Sequence, residues 1–395
     1  MSKSFVLFVP AGGIDNSSAR TRMYAYLPFL KEFGFRWHIT NYTYHKYDAP
    51  KTDRRFETKV SLRPGLPEAP HKCSLRKLWL ELLPLRNLWA FFRADTLFFQ
   101  KKRFRPWIVK LGRLLGKRIV YDLDDALYLQ SPDPMARAAV HAIRVDEEFA
   151  PRLVWMFEQA NLALVSSEEL SRYASQHAQA VSILPSVVSE VADMPSVPNT
   201  TPVIGWVGAP ENQCYLREIE DVLVKLTDEN PELEVWIVTS QLMHPAPRFR
   251  YKFIPWTFFT EKEVIPLFTV GIAPLRDDLW CRAKMNFKAL VYMSYGVPVV
   301  AGPSGALTFE FEDGRSVLLA RTEADWYRYL KDLLCNPERR NEIADNGLKV
   351  IRQRYWAPAR VAEFAAALRG QSREYALRVA ARQIPAVQER GSSPD

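Results

Sequence analysis

The sequence lacks three features that would each have placed it in a particular class of protein. Its six histidines show no His-x-x-x-His spacing and no His-plus-Cys spacing, so we expect no zinc site built by the protein and no metal cofactor. No apolar run reaches the roughly 18 residues that a membrane-spanning helix needs. The cysteines are widely separated and form no Cys-x-x-Cys pair, which is typical of inert thiols in a reducing compartment: Cys73, Cys214, Cys281 and Cys335. We therefore expect a soluble, cytoplasmic protein.

Positive charge is present but unevenly distributed. The 395 residues carry a formal net charge of +8, and residues 72–118 alone contain 13 Lys and Arg against two acids. Aromatic residues lie among these charges: Trp79, Trp89, Phe91, Phe92 and Trp107. The pattern is typical of a peripheral protein bound to an anionic membrane, here the inner face of the cell membrane, and equally of core aromatics beside a solvated basic face. No nucleic-acid-binding motif accompanies the charge, so we expect no nucleic-acid partner.

Short apolar segments alternate with helix-length amphipathic segments along the chain, which predicts βαβ units, parallel sheets and an α/β fold. The first helix is predicted from an N-cap at Ser17 to Gly34. Twelve strands are predicted in two series of six, at Phe5–Val9, Phe35–Asn41, Thr96–Gln100, Arg118–Asp122, Leu162–Ser166, Val181–Leu184, Val203–Val207, Glu234–Val238, Tyr251–Ile254, Val270–Leu275, Val297–Ala301 and Val317–Ala320.

A proline-rich interruption separates the two series. Residues 185–202 contain four prolines and little periodicity, as expected of a linker. We predict a Rossmann-like domain over 1–185, a linker over 186–202, a second Rossmann-like domain over 203–355, a C-terminal helix region over 356–382 and a disordered tail over 383–395. Two such domains form a cleft at the carboxyl ends of their strands, where open α/β sheets bind ligands.

The turn after the first strand carries a pair of glycines and two arginines. Gly12 and Gly13 let backbone amides approach a ligand, and a helix N-terminus follows them. Arg20 and Arg22 on that helix can each bind a phosphate or a carboxylate with two hydrogen bonds. The glycines do not form a Gly-x-Gly-x-x-Gly motif, so a dinucleotide site is not predicted, and a simple tight connection between strand and helix would look the same.

Three carboxylates lie at the end of the predicted strand Arg118–Asp122 and directly after it: Asp122, Asp124 and Asp125. Buried carboxylates are costly unless they are paired or face a cleft. They could bind acceptor hydroxyls, or one of them could act as a base. The Asp-x-Asp pattern also occurs in metal-nucleotide sites, but its place in the first of two Rossmann-like halves argues against a metal here. A helix N-cap with surface acids is the alternative.

In the second half, the densest polar segment surrounds Lys284 and Lys288. The two lysines are one helical turn apart, near the N-terminus of a predicted helix. Like charges at this spacing and at this pole of a helix repel, and an anionic ligand removes the penalty. Gly208, at the end of the first strand of this half, is placed where a phosphate would meet the turn. The segment therefore predicts a diphosphate site, with a solvated basic helix face as the alternative.

The run from Phe287 to Ala301, Phe-Lys-x-x-x-Tyr-Met-x-x-Gly-Val-Pro-Val-Val-Ala, resembles the donor-site signature of the family 4 (group 1) retaining glycosyltransferases of GT-B fold. Further segments resemble that family in the same order: 98–100, 120–125, 181–188, 203–208, 270–275 and 312–319. The resemblance spans about residues 1–370 and is stronger in the second half. It implies a nucleoside diphosphate sugar as donor, a saccharide or lipid-linked saccharide as acceptor, no obligatory metal, and retention of configuration.

The resemblance also implies roles for individual residues. The first domain would bind the acceptor and the second the donor, with the C-terminal helices packing back towards the first domain. The donor ligands would be Gly12, Gly13, Gly208, Trp256, Arg282, Lys284, Lys288 and Gly305; core packing is an equal interpretation of Trp256. The acceptor ligands would be Arg20, Arg22 and Asp122, and the catalytic groups Asp124, Asp125 and Lys288.

One departure from the family concerns its Glu-x7-Glu pair. Counting back from Gly296 places the two glutamates at Val291 and Ala283, so both carboxylates are absent. In the family these groups hold the donor sugar and its ribose. Two other hypotheses therefore stay open: a non-catalytic scaffold of GT-B fold, and a sugar-nucleotide epimerase of GT-B fold.

Overall fold

The structure is a computed structural model that describes residues 4–14, 16–40, 85–101, 106–130, 144–194, 201–242, 245–305 and 307–371. The predicted tail at 383–395 lies outside the described residues, as does Trp79 of the basic segment.

The first half of the chain forms a parallel sheet of six strands: β1 Ser4–Val9, β2 Phe35–Ile39, β3 Thr96–Gln100, β4 Arg118–Leu123, β5 Leu162–Val165 and β6 Val181–Ile183. Their spatial order is β2-β1-β3-β4-β5-β6. All residues of β3 and β5 are buried, because helices cover both faces of the sheet. The six strands predicted for this half are confirmed, with ends that differ by one or two residues.

The second half repeats this architecture with strands β7 Val203–Val207, β8 Glu234–Thr239, β9 Lys252–Pro255, β10 Val270–Ala273, β11 Val299–Ala301 and β12 Leu318–Leu319. Their order is β12-β11-β10-β7-β8-β9, and all neighbouring strands are parallel. The predicted α/β fold with two parallel sheets is therefore confirmed.

Helices connect the strands and cover the sheets. Their bounds are α1 Ser17–Arg22, α2 Leu27–Leu30, α3 Leu85–Arg93, α4 Pro106–Leu114, α5 Ala150–Gln159, α6 Glu168–Ala174, α7 Glu220–Glu229, α8 Phe258–Val264, α9 Leu279–Arg282, α10 Phe287–Ser294, α11 Leu307–Glu310, α12 Glu323–Cys335, α13 Pro337–Val350 and α14 Ala357–Arg369. Short 3-10 helices occur at Tyr24–Tyr26, Pro210–Ile219 and Ile265–Leu267, and a π-helical turn at Ile351–Tyr355.

The first predicted helix differs from the observed one. Its cap is Asn16, whose side chain accepts a hydrogen bond of 2.9 Å from the Ala19 amide, whereas we predicted Ser17. The helix is also divided, because Met23 leaves the helical region at φ −135°. The predicted end is correct: Gly34 has a φ of 76°, which favours glycine.

The last described helix, α14, packs back on the first half of the chain. The Phe364 ring stacks on Tyr26 with centroids 4.4 Å apart and meets Phe98 edge-on at 5.7 Å. The Thr96 hydroxyl donates a 3.0 Å hydrogen bond to the Leu368 carbonyl. The predicted return of the C-terminal helices to the first domain is thereby confirmed.

We expect Phe364→Ala to lower the free energy of unfolding by about 3–5 kcal/mol, because it opens a cavity among buried aromatic rings. Denaturant unfolding followed by tryptophan fluorescence measures this change. Phe92→Ala is the control, since Phe92 is largely exposed and its loss should cost less than about 1 kcal/mol. Equal costs for the two variants would contradict the packing of α14 described above.

Candidate functional site

The turn after β7 and the start of α10 meet at the carboxyl edge of the second sheet. A Cβ atom added to Gly208 would lie 2.7 Å from the Trp206 ring and 3.3 Å from the Lys288 Nζ atom. The Nζ atom lies 4.4 Å from the centroid of the Trp206 ring, where the π face attracts a cation. The structure therefore brings Gly208 and Lys288 together, and a side chain at 208 would crowd the space beside the ammonium group.

The ammonium group of Lys288 is isolated from water and from hydrogen-bond acceptors. Its side chain is half-buried as a whole, but the Nζ atom is buried and has no hydrogen-bond partner. Burial, together with the nearby charge of Lys284, lowers the pKa of Lys288 to about 7. A buried cation of this kind favours an anionic ligand, because the ligand would provide both the missing hydrogen bond and the missing counter-charge.

Lys284 lies in the bend between α9 and α10, so the prediction that the two lysines share a helical turn is wrong. Its backbone closely approaches a second glycine. Gly305 has a φ of 63°, and a Cβ atom added there would lie 1.8 Å from the Lys284 carbonyl oxygen. Both the backbone conformation and the contact require glycine at this position. The Lys284 Nζ atom lies 5.4 Å from the centroid of the Trp280 ring. Four of the predicted donor ligands, Gly208, Lys284, Lys288 and Gly305, are therefore positioned by the contacts around α10.

The acidic turn after β4 is organised by a lysine that we did not predict. The Lys101 Nζ atom forms ion pairs with Asp124, at 3.2 Å, and with Asp125, and it donates a 2.9 Å hydrogen bond to the Ser18 hydroxyl. Burial opposes ionisation of Asp125, but Lys101 and Lys284 hold the pKa of that carboxyl below its ordinary value. Lys284 belongs to the second half, so a charge of the second half acts on this turn of the first. The sequence indicates such a role only through the position of Lys101 directly after β3, beside the turn that follows β4.

Arg22 and Asp122 bind each other inside the first half. Both side chains are fully buried, and the guanidinium makes ion-paired hydrogen bonds to both carboxylate oxygens, with Nε at 3.1 and 3.3 Å. Gln100 joins the pair by donating to Asp122 at 3.2 Å, and its other amide atom accepts from the Ala11 amide at 2.9 Å. The pair therefore helps to fix the turn that contains Gly12. Contact of these two side chains with an acceptor stays a prediction.

Arg20 crosses from the first half to the second. It forms a 3.3 Å ion pair with Glu261, and both side chains are mostly buried. The same carboxylate oxygen of Glu261 accepts a 3.2 Å hydrogen bond from the Trp256 indole. The Trp256 ring also packs against the core of the second half. These contacts join α1 to α8, and the predicted ligand roles of Arg20 and Trp256 stay predictions.

The remaining predicted ligands lie elsewhere. Arg282, at the end of α9, is half-exposed and forms a two-pronged ion pair with Asp277, at 2.6 and 3.1 Å. Gly12 and Gly13 form the turn after β1, where a Cβ atom on Gly12 would lie 2.5 Å from the Cβ of Asn16. A tight connection between strand and helix therefore accounts for Gly12, and donor contacts by these three residues stay predictions.

Two polar side chains near the lysines were missed at the level of sequence. Asn286 and Ser304 are 3% and 1% exposed, and none of the three polar atoms of their side chains has a hydrogen-bond partner. Asn286 precedes α10 with a φ of 50° and does not cap it. The sequence predicts Asn286 as an ordinary residue of the helix that carries the two lysines, so no local pattern indicates a buried amide without a partner.

The described residues contain no group of three or more His, Cys, Asp or Glu side chains arranged to hold a metal ion. Within the same ranges, no helix is long and apolar enough to cross a membrane.

We expect Lys288→Met to stabilise the free protein, because it removes an unpartnered buried ammonium group and keeps apolar volume beside Trp206. At pH 7 the midpoint of thermal unfolding, measured by calorimetry without ligand, should rise by at least about 2 °C. Lys349→Met, at an exposed position of α13, is the control and should change the midpoint by less than about 1 °C. A lower midpoint for Lys288→Met would contradict an unpartnered ammonium group.

The gain in stability from Lys288→Met should decrease as the pH rises. The pKa of Lys288 is about 7 in the folded protein against an ordinary value of 10.5. Between these values the unfolded wild type binds more protons than the folded one, so the stability of the wild type rises with pH. The advantage of Lys288→Met should therefore be greatest at and below pH 7 and shrink towards pH 10. Unfolding free energies at four pH values measure it, and an advantage that grows with pH would count against the buried charge.

Residues 279–366, which include both lysines, match the family model described as "Glycosyl transferase-like". No curated protein matches the chain. Three solved structures superpose on nearly all of it. Sucrose-phosphate synthase of Thermosynechococcus elongatus has a TM-score of 0.62 at 13% identity, covering 93% of this chain and 99% of that one.

The second is HepE of Anabaena, in complex with UDP and glucose, with a TM-score of 0.60 at 12% identity, covering 93% of this chain and 100% of that one. The third, a glycosyltransferase of Rickettsia africae, has a TM-score of 0.61 at 8% identity, covering 94% and 100%. Identities this low establish the fold alone. The chain therefore has the GT-B fold of glycosyltransferases, with a glycosyl transferase-like segment at residues 279–366.

Proposed function

We propose that the protein is a glycosyltransferase that moves a sugar from a nucleoside diphosphate sugar to a saccharide or lipid-linked saccharide. The observation that carries this proposal is the buried, unpartnered ammonium group of Lys288 beneath the Gly208 turn. Lys284 lies in the bend before α10, and its charge acts on Lys288. The match to the glycosyl transferase-like model over this segment supports the proposal, as does the UDP named in the structure of HepE.

In this proposal the two lysines bind the diphosphate of the donor. Positive charge at that position stabilises the negative charge that develops on the leaving nucleoside diphosphate. A bound diphosphate would also raise the pKa of Lys288, so that the group is charged when the bond to the sugar breaks. Because two ammonium groups provide this charge, we propose that transfer requires no metal.

The acidic turn lies opposite the lysines. Lys101 holds Asp124 and Asp125 in place, and the lowered pKa of Asp125 keeps that carboxylate ionised at neutral pH. An ionised carboxylate at the cleft can accept a hydrogen bond from an acceptor hydroxyl and orient it, or remove its proton. We assign this role to Asp124 and Asp125. Retention of configuration and a role in surface polysaccharide assembly are proposed on the resemblance of residues 287–301 alone.

A second candidate is a non-catalytic scaffold of GT-B fold. The position of the first absent glutamate, Ala283, favours it: this residue is fully buried, and its carbonyl accepts a 2.9 Å hydrogen bond from the Ser167 hydroxyl of the first half. At this position the chain therefore has a fully buried methyl group close to a contact between the halves, and no carboxylate. Such a scaffold would keep the anion site and lack turnover.

A panel of nucleotides tests the anion site. Titration calorimetry with UDP, GDP, ADP, CMP and dTDP should identify one tight ligand, and Lys284→Ala with Lys288→Ala should weaken its binding at least about tenfold, since charged hydrogen bonds contribute about 1.5–3 kcal/mol each. Lys349→Ala is the matched control and should bind as the wild type does. Unchanged binding in the double variant would rule out the proposed phosphate contacts. Tight binding without transfer or hydrolysis of any sugar nucleotide would instead identify a scaffold.

We also propose that the basic segment binds an anionic membrane from the cytoplasmic side. In its described part, Phe91 is core, but Trp89 and Phe92 of α3 are 56% and 58% exposed, and Leu114 of α4 is 83% exposed. Trp107 and Leu115 are also exposed. Basic residues lie on or directly after the same two helices: Arg93, Lys110, Arg113 and Lys117. Exposed aromatics beside positive charge favour an anionic lipid surface.

Vesicle sedimentation tests this surface. The protein should bind vesicles containing about 30% phosphatidylglycerol more tightly than neutral ones, and salt should weaken the binding. Trp89→Ser with Phe92→Ser should reduce binding several-fold. Leu267→Ser, at an exposed apolar position of the second half, is the control and should leave it unchanged. Equal binding to neutral and anionic vesicles would contradict the proposal.

A further inference from the structure

Asn286 and Ser304 are buried polar residues for which neither the fold nor the diphosphate site accounts. The amide nitrogen and oxygen of Asn286 and the hydroxyl of Ser304 all lack a hydrogen-bond partner. Each such group costs about 1–3 kcal/mol when it is left unpaired away from water. Buried polar groups in folded proteins are almost always paired, so a set of three on adjoining segments indicates a ligand that pairs with them.

Both residues adjoin the lysines. Asn286 lies two residues from Lys284 and two from Lys288, at the start of α10, and leaves the first amides of that helix without a side-chain cap. Ser304 directly precedes Gly305, whose α-carbon lies against the Lys284 carbonyl. Ala283, three residues before Asn286, touches the first half of the chain through Ser167. Asn286 therefore lies three residues from a contact between the halves, and Ser304 lies beside the residue that packs against Lys284.

The chemistry of the unpaired atoms distinguishes between parts of the donor. The Oδ1 atom of Asn286 is an acceptor and needs a donor, and the diester phosphates of a sugar nucleotide carry no proton at neutral pH. Sugar hydroxyls both donate and accept, as do the amide of Asn286 and the hydroxyl of Ser304 taken together. A diphosphate can pair with the ammonium of Lys288 but not with this Oδ1 atom.

We propose that Asn286 and Ser304 bind the hydroxyl groups of the transferred sugar, as neutral replacements for the carboxylates absent at 283 and 291. This inference rests on the proposed function and names the part of the donor that these residues recognise. The sugar lies on the cleft side of the diphosphate, because there it must meet the acceptor. Asn also suits the backbone here, since its φ of 50° is tolerated by Asn and Gly and is strained for most other residues.

Asn286→Gly is the informative variant, because glycine keeps the left-handed backbone and removes only the amide. We compare dissociation constants for UDP and UDP-glucose by calorimetry, or for GDP and GDP-mannose if the nucleotide panel selects guanine. Asn286→Gly and Ser304→Ala should each weaken the sugar nucleotide about five- to tenfold and change the affinity for the nucleoside diphosphate less than twofold. The control is Asn336→Gly, which removes the N-cap of α13 and should affect neither ligand.

Retained binding of the nucleoside diphosphate shows that each variant is folded. Equal losses for both ligands would place the contacts on the ribose or the phosphates and overturn the inference, and so would the absence of any loss. A wild type that binds no nucleotide would overturn the proposed function and this inference with it. If the wild type binds the nucleoside diphosphate but neither variant weakens the sugar nucleotide more than the nucleoside diphosphate, the inference is overturned and the proposed function is not.

Discussion

The buried ammonium group of Lys288 is the feature on which the proposed donor site depends. It lies over the indole of Trp206 and against the α-carbon of Gly208, without a hydrogen-bond acceptor. A charge buried there lowers the stability of the folded state, and the packing of the parallel sheet offsets this loss. The glycines at 208 and 305 keep side chains out of the space around α10. The free protein therefore keeps a site whose electrostatics are completed only by an anion.

The first half meets this site with the opposite charge. Lys101 gathers Asp124 and Asp125 at the end of β4, and the charge of Lys284 reaches Asp125 across the cleft. The buried pair of Arg22 and Asp122 lies deeper in the same half. In the proposed function, these opposite charges orient a donor and an acceptor against each other. In the same proposal, the neutral side chains of Asn286 and Ser304 recognise the sugar in place of the two absent glutamates.

The sequence was sufficient for all twelve strands, because parallel sheets buried on both faces leave short apolar runs between turns. It also drew attention to Gly208 and Lys288, which the fold brings together, whereas the helical turn predicted between Lys284 and Lys288 is absent. Asn286 escaped prediction because burial without a partner is a property of the folded molecule. The pairing of Arg22 with Asp122 joins residues 100 positions apart, and no local pattern carries that information.

The return of α14 to the first sheet has a consequence for how the protein is made. The rings of Phe8, Tyr26 and Phe98 are covered by Phe364, and Thr96 bonds to a carbonyl 272 residues further along the chain. During translation the N-terminal half leaves the ribosome long before this helix exists. Its aromatic surface then stays uncovered until α14 is synthesised. The first half therefore emerges before the second but is completed only after it, and a chain truncated before α14 would present that surface to chaperones.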